Sequence, residues 1–377
     1  MSWWQLIQAE LRAFSQNKVV LLTVFGGVLF YSFLYPQPYL EQVPREQAIT
    51  VVDLDGSSQS RALIRMANAT SQLNVVRHDL SIAAAKDAFL NGDVQGILVI
   101  PQHFHRDLLL GRSPTLAYAA DASYFLVYGT VIEGMLASSG TLGAQVKVGR
   151  LMVSGVPKVQ AAEQYTPIRL NGKPTFNPAM GYIEYVVPAV FVMILQQTLI
   201  MGVGLVGAGQ RGQGYWQKTP FWRVALLRVV LFVAIYYVLS AFYFGFTFEA
   251  YGIRRLADPA ELLLLLLPFL LICCLIGLLL GALMPRRELV TVVVLLSSMP
   301  LIFSIGFIWP LQAMPLWVQQ FAQLFPCTPG VQGMLELNQM GAPFHHLTAQ
   351  LNMMALQLLG WGILATGALY WRAKQAD

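Results

Sequence analysis

Six apolar runs interrupt this chain of 377 residues, and they constrain it more than any other feature. An α-helix needs roughly 20 apolar residues to cross the hydrocarbon of a bilayer, where water is absent and each backbone amide must be satisfied within the segment. Residues 182–206, 224–248, 261–284, 289–308 and 348–371 reach that length, and 19–35 is shorter but sufficient. With 56% hydrophobic and 11% charged residues, a single soluble core is excluded and an α-helical polytopic membrane protein is expected. The formal charge of +5 is spread as short clusters beside the runs, as orientation signals are, rather than as one basic face. That pattern argues against nucleic-acid binding.

The same clusters set sidedness. Arg12 and Lys18 precede the first run and no small-residue cleavage pattern follows it, so 19–35 is expected to be an uncleaved anchor with the N-terminus inside. Residues 1–18 carry Trp4, Ile7, Leu11 and Phe14 at helical spacing and are expected to form an amphipathic helix on the inner membrane surface. Arg211, Lys218, Arg223 and Arg228 place the polar loop 207–223 in the cytoplasm. Arg286 and Arg287 do the same for the turn before 289–308, and Arg372 and Lys374 for the C-terminus. Arg254 and Arg255 oppose the rule on a short outer loop, partly offset by Asp258 and Glu261. Residues 36–178 then lie outside, in the periplasm if the membrane is a bacterial inner membrane.

Residues 36–178 regain charges, Asn and Gly and are expected to form an inserted α/β domain. A strand at 48–55 precedes a turn and a helix over 59–69; a second strand covers 73–77. Ser81 caps another helix that Gly92 stops, GILVIP follows as a strand, and 115–120 gives a fourth. Residues 126–153 have helical character and the length of a stalk. At the other end, 309–346 contains five prolines and only the short apolar piece LWVQQFAQLF, which cannot cross. It is expected to dip in and return, with protein sheltering its broken backbone. The architecture expected is thus six spans, an interfacial helix, a re-entrant segment and the α/β insertion, with 179–377 forming the rest of the membrane domain.

Four segments in order, VVDLDGSSQSRALI, NGDVQGILVIP, FNPAM and PLQAMPLWVQQFAQLFPCTPGVQGMLELNQMGA, resemble the permease subunits of bacterial ABC-2 type exporters in the branch with a large extracytoplasmic domain after the first span. The resemblance implies a transport subunit without catalytic residues or cofactor of its own. ATP and Mg would be bound by a separate cytoplasmic ABC ATPase, beside a second permease copy or paralogue, membrane lipid and, in some assemblies, a periplasmic adaptor. It implies that the polar loop is the ATPase contact: Gln210, Arg211, Gly212, Gln213, Gly214, Tyr215, Trp216, Gln217, Lys218, Thr219 and Pro220. Thr219 and Pro220 match the end of the family's loop, whereas glutamines replace its acidic residues. The glycines release the chain from its helix, and Tyr215 with Trp216 can fill a groove on a partner.

Other signals have plainer readings. Gly202, Gly204 and Gly207 match a dinucleotide fingerprint, but they close a membrane helix, where small residues serve close packing. No P-loop motif occurs. Asp53 and Asp55 after an apolar strand would suit a phosphatase, a rival weighed against a turn and helix cap. Another rival is a membrane-anchored outer binding protein, receptor-like and without transport. His103, His105, His345 and His346 lack the partners of a metal site, so none is expected, and Cys273, Cys274 and Cys327 are expected to be buried thiols. Gln196 and Gln197 lie in mid-span, where polar groups need a partner or a path. With Met193, Met299 and Phe303 they are the candidate substrate route, against a reading as helix contacts and core.

Overall fold

The computed structural model describes residues 2–41, 43–165, 172–210 and 219–376. It divides into a larger unit, residues 1–40 with 175–377, and a smaller one, residues 41–174. In chain order the larger unit opens with α1 (Trp3–Ser15) and α2 (Lys18–Tyr39). The smaller unit follows as β1 (Gln47–Asp53), α3 (Ser58–Asn68), β2 (Leu73–His78), α4 (Ile82–Leu90), β3 (Gly96–Ile100), α5 (Phe104–Leu109), β4 (Ala117–Ala120), α6 (Phe125–Val153) and α7 (Lys158–Tyr165). The larger unit resumes with α8 (Ile183–Gly209), α9 (Phe221–Ala250), α10 (Pro259–Leu283), α11 (Arg287–Ser304), α12 (Leu316–Ala322), α13 (Cys327–Met334) and α14 (Phe344–Lys374).

Among the described residues, seven helices are long and apolar enough to cross a membrane: α2, α6, α8, α9, α10, α11 and α14. Helix α8 is the axis of the larger unit, buried along almost its whole length and packed on α10, α11, α13, α2 and α9. Small residues permit that crowding. A Cβ on Gly204 would lie 2.6 Å from Val290, and one on Gly277 would lie 2.7 Å from Val203 and 3.0 Å from the Ile200 carbonyl. One on Gly281 would meet the Gly204 carbonyl and the Gly207 Cα, both at 3.1 Å. The glycine pattern at 202, 204 and 207 therefore serves backbone contact between helices. Val20, Val24 and Val28 repeat every four residues and put the buried face of α2 against this axis.

The broken stretch between α12 and α13 shows how irregular backbone survives inside a bundle. Helix α13 and the turn after it are almost wholly buried against α8, α10 and α14. The carbonyls freed at the break find side-chain donors. Gln357 on α14 donates to the Gln323 and Phe325 carbonyls at 2.8 and 3.0 Å, the Trp361 indole to Leu324 at 2.9 Å, and Thr328 to Ala322 at 2.6 Å. Unsatisfied carbonyls at such a place would each cost on the order of a few kcal/mol. The segment expected to dip in and return is thus half core: α12 is largely exposed and α13 is packed within.

In the smaller unit β1 pairs in parallel with β2 and β3, and β4 runs antiparallel to β3, giving the order β2-β1-β3-β4. Alternation along β1 sorts the two faces. Ile49 and Val51 join Leu63 of α3 and Val131, Met135 and Leu142 of α6, whereas Val52 joins Ala85 of α4. Helix α6 qualifies as a span by composition, yet its buried stripe lies on this sheet, and a Cβ on Gly134 would come within 2.6 Å of Leu73. On the α4 face, Arg77 at 2.9 Å and the buried Thr50 hydroxyl at 2.7 Å donate to Asp79 and hold its carboxyl below the usual carboxylate range.

Candidate functional site

The polar loop predicted as the contact with an ATPase falls mostly on residues 211–218. Arg211, Gly212, Gln213, Gly214, Tyr215, Trp216, Gln217 and Lys218 therefore lie outside the described residues. Its two ends are described. Gln210 follows the last turn of α8, and Thr219 and Pro220 lead into the first residue of α9. Thr219 is buried and Pro220 exposed.

Three polar side chains from distant parts of the sequence meet at these ends. Arg228, two turns into α9, is fully buried, as are Glu10 of α1 at 1% exposure and Gln210 at 3%. The guanidinium grips the Glu10 carboxylate bidentately, Nε to Oε2 at 2.9 Å and Nη2 to Oε1 at 2.8 Å. Nη2 also donates to the Gln210 side-chain oxygen, and the Gln210 amide returns a bond to Glu10 at 3.4 Å. A charge this deep is tolerable only when paired and hydrogen-bonded, because desolvation costs several kcal/mol per ion. Each of the three is bonded to the other two. Together they join α1, the end of α8 and the start of α9 in a single polar knot.

Packing around the knot extends the joint. Trp3 meets Trp222 edge-on with centroids 6.2 Å apart, Arg223 lies over both rings at 5.4 and 5.2 Å, and Phe14 meets Phe232 at 5.5 Å. Ser2 caps α1 by accepting the Gln5 amide while the Gln5 side chain accepts the Ser2 amide, so the helix begins in a defined place. From the C-terminal end of α14, Arg372 donates to the carbonyls of Gly207 and Gly281 at 3.1 and 2.8 Å. Those are the glycines at which α8 and α10 touch. Five helices, α1, α8, α9, α10 and α14, are fastened where the loop departs and returns.

The face of α1 that does this shares only Phe14 with the stripe expected to lie on the membrane. Leu6, Glu10 and Phe14 are buried, whereas Trp4 and Leu11 are exposed. Neither Glu10 nor Arg372 was singled out from the sequence beyond an orientation signal. The available clue for Glu10 was an acidic residue four positions from Leu6 and from Phe14, on one side of an otherwise amphipathic helix.

The candidate substrate route is not drawn together. Met193 and Gln196 are buried within the α8 core and Gln197 is half-buried, while Met299 and Phe303 are 69% and 61% exposed on α11. With Leu289, Val292 and Leu296 the latter two form an apolar stripe along that helix. The carboxylates considered for a phosphatase are engaged locally. Asp53 accepts the amides of Asp55 and Gly56 and the Ser60 hydroxyl, at 3.1, 2.9 and 2.7 Å, and Asp55 accepts the His105 amide at 3.2 Å. Ser57 caps α3, so this is a turn and helix start. Among the described residues no three His, Cys, Asp or Glu side chains converge as a metal site would require. All three cysteines are buried as free thiols.

Comparison with known proteins adds two findings. The family model described as "ABC-2 family transporter protein" matches residues 18–366. The chain is also 22% identical over 344 residues to the "Probable multidrug ABC transporter permease YbhR" of Escherichia coli strain K12, covering 86% of each chain. The protein of the same name from Escherichia coli O157:H7 aligns equally, at 22% over 344 residues and 86% of each.

Proposed function

We propose, for a chain that belongs to the ABC-2 family of transporter proteins, the role of membrane subunit in an exporter that moves substrate outward under the power of a separate cytoplasmic ATPase. It is an integral membrane protein, and the reading places it in a bacterial inner membrane with both termini and the 207–223 loop in the cytoplasm. Residues 36–178 are then periplasmic. Six spans satisfy that arrangement, and α6 is assigned to the smaller unit because its buried stripe is spent on the sheet. The relatives' name makes drugs the first substrate class to try.

The observation that carries the coupling part of this reading is the Glu10–Gln210–Arg228 knot. A loop that receives force must not simply slide relative to the helices it is to move. Here both of its ends are tied to α1, and Arg372 ties the adjoining glycine contact to α14. Closure of an ATPase dimer against the loop would displace α8, and α8 is packed too closely on α10 and α11 to move without them. The exposed apolar stripe on α11 would face lipid or a second permease copy, and a periplasmic adaptor would engage the smaller unit. The chain itself needs no nucleotide.

Trp216 supplies the test, as the largest side chain of the loop. If it anchors the ATPase, Trp216→Ala weakens docking by about 2 kcal/mol, roughly thirtyfold in affinity, at unchanged abundance. Retention of full ATPase co-purification and stimulated hydrolysis would remove Trp216 from the contact and turn attention to Arg211 and Lys218.

A further inference from the structure

In the smaller unit, α6 runs beside α5 and the 111–118 stretch without filling the space between them. A groove of about 850 Å³ results, and a second of about 680 Å³ adjoins it, with Leu108, Leu142, Val146, Arg150 and Ser154 lining both. Volumes of roughly 300–1,000 Å³ with apolar walls and a few polar groups are those of small-molecule sites. The charge on the walls has one sign. Arg112, Lys147 and Arg150 line the larger groove and no Asp or Glu does.

Two of those cations are not neutralised. Arg112 has Asp107 at 3.7 Å, but among the described residues no carboxylate lies within 4 Å of Lys147 or Arg150. Lys147 instead rests over the Tyr165 ring at 5.4 Å. The Arg150 guanidinium lies against Gly111, where a Cβ would come within 2.4 Å of it, and this places the charge beside the apolar wall. Leu136 and Leu109, exposed on the two sides, extend the apolar surface outward.

We propose that this groove binds a free amphiphilic anion with a single alkyl chain, the chain lying along Leu108, Leu142 and Val146 and the carboxylate on Lys147 and Arg150. A neutral hydrophobe would use the walls and leave both cations idle. The charge complementarity favours an anion, and the concavity favours a chain narrow enough to enter it. The site depends only on the smaller unit's own geometry and stands whether or not the exporter reading does.

The experiment uses the full chain in phosphatidylcholine nanodiscs and a photoreactive C16 carboxylate carrying a diazirine near its chain end. Irradiation followed by peptide mass spectrometry should label residues between 98 and 154, with unlabelled palmitate competing and hexadecanol not. Losing a charge-assisted bond corresponds to about tenfold in affinity, so Arg150→Gln and Lys147→Gln should each raise the competing concentration about tenfold. Gly143→Trp should abolish labelling by filling the groove, since a Cβ at Gly143 meets nothing within 4 Å and the fold has room for it. An unchanged thermal melt for these variants keeps the result interpretable. Equal competition by hexadecanol, or unchanged labelling in all three variants, would overturn the proposal. So would loss of labelling in phosphatidylglycerol discs, which would give the groove to membrane lipid, or in-cell crosslinking from position 142 to another protein with no carboxylate labelling.

Discussion

Replacing Arg228 by Met removes the guanidinium while keeping much of the side chain's bulk, and it takes both charge-assisted bonds from a Glu10 carboxylate buried at 1% exposure. Breaking one side of a buried pair costs about 3–5 kcal/mol because the stranded charge keeps its desolvation penalty. Glu10→Met strands the guanidinium and should cost a similar amount. The double variant strands neither and should recover much of the loss. Two direct charge-assisted bonds at 2.9 and 2.8 Å connect the pair, so the coupling in a double-mutant cycle should reach about 3 kcal/mol. Reversible unfolding in mixed micelles measures stability for all four proteins, and ATPase stimulation measures function. If the knot is the mechanical tie proposed above, the double variant should fold yet remain poorly coupled to hydrolysis. Coupling below about 0.5 kcal/mol would refute the reasoning from geometry to energy. Full ATPase stimulation in the double variant would refute the reasoning from energy to function.

Gly277→Val should destabilise the larger unit by about 2 kcal/mol, since its Cβ would press on Val203 and the Ile200 carbonyl; Gly277→Ala should do less, and equal thermal melts for both would contradict the close packing. Asp79 is held below its ordinary 3.8 by bonds from Arg77 and Thr50, so its stabilisation is present above that value and is lost as pH falls through the lowered one. Acid unfolding of Asp79→Asn should therefore be shallower than that of the native protein below about pH 4, and parallel curves would contradict it. A cysteine at the exposed position 91 should react in intact cells with a reagent that crosses only the outer membrane, because the three native thiols are buried; labelling only after lysis would invert the topology.

Much of the architecture is legible because bilayer length and strand alternation are strong patterns. The expected strand at 48–55 is β1 over Gln47–Asp53, and GILVIP supplies β3. The second apolar run, 182–206, lies on α8 but for its first residue, and the helix continues to Gly209. The protein-facing side of α1 was not legible for a physical reason. Amphipathic spacing identifies the apolar stripe, but beside a membrane that stripe can face lipid while the buried polar residue faces protein. Glu10 is such a residue, and its partners lie 200 and 218 positions away, beyond the reach of any local period. Helix α13 was likewise too short and too proline-bounded to be recognised as core, because its burial depends on Gln357 and Trp361 of α14 capping the break before it. Residues 126–153 read as a stalk of the insertion rather than a span; by length and composition α6 could also cross a membrane, and its buried stripe packs on the sheet.

The central claim, that this chain carries a substrate outward with ATP consumed elsewhere, is tested most directly in inside-out vesicles from cells expressing it with its partner ATPase. The account predicts ATP-dependent accumulation of an amphiphilic fluorescent drug, abolished by a non-hydrolysable nucleotide and sharply reduced by Trp216→Ala, with a protonophore making no difference. Accumulation that ignores ATP and collapses with the proton gradient would contradict it.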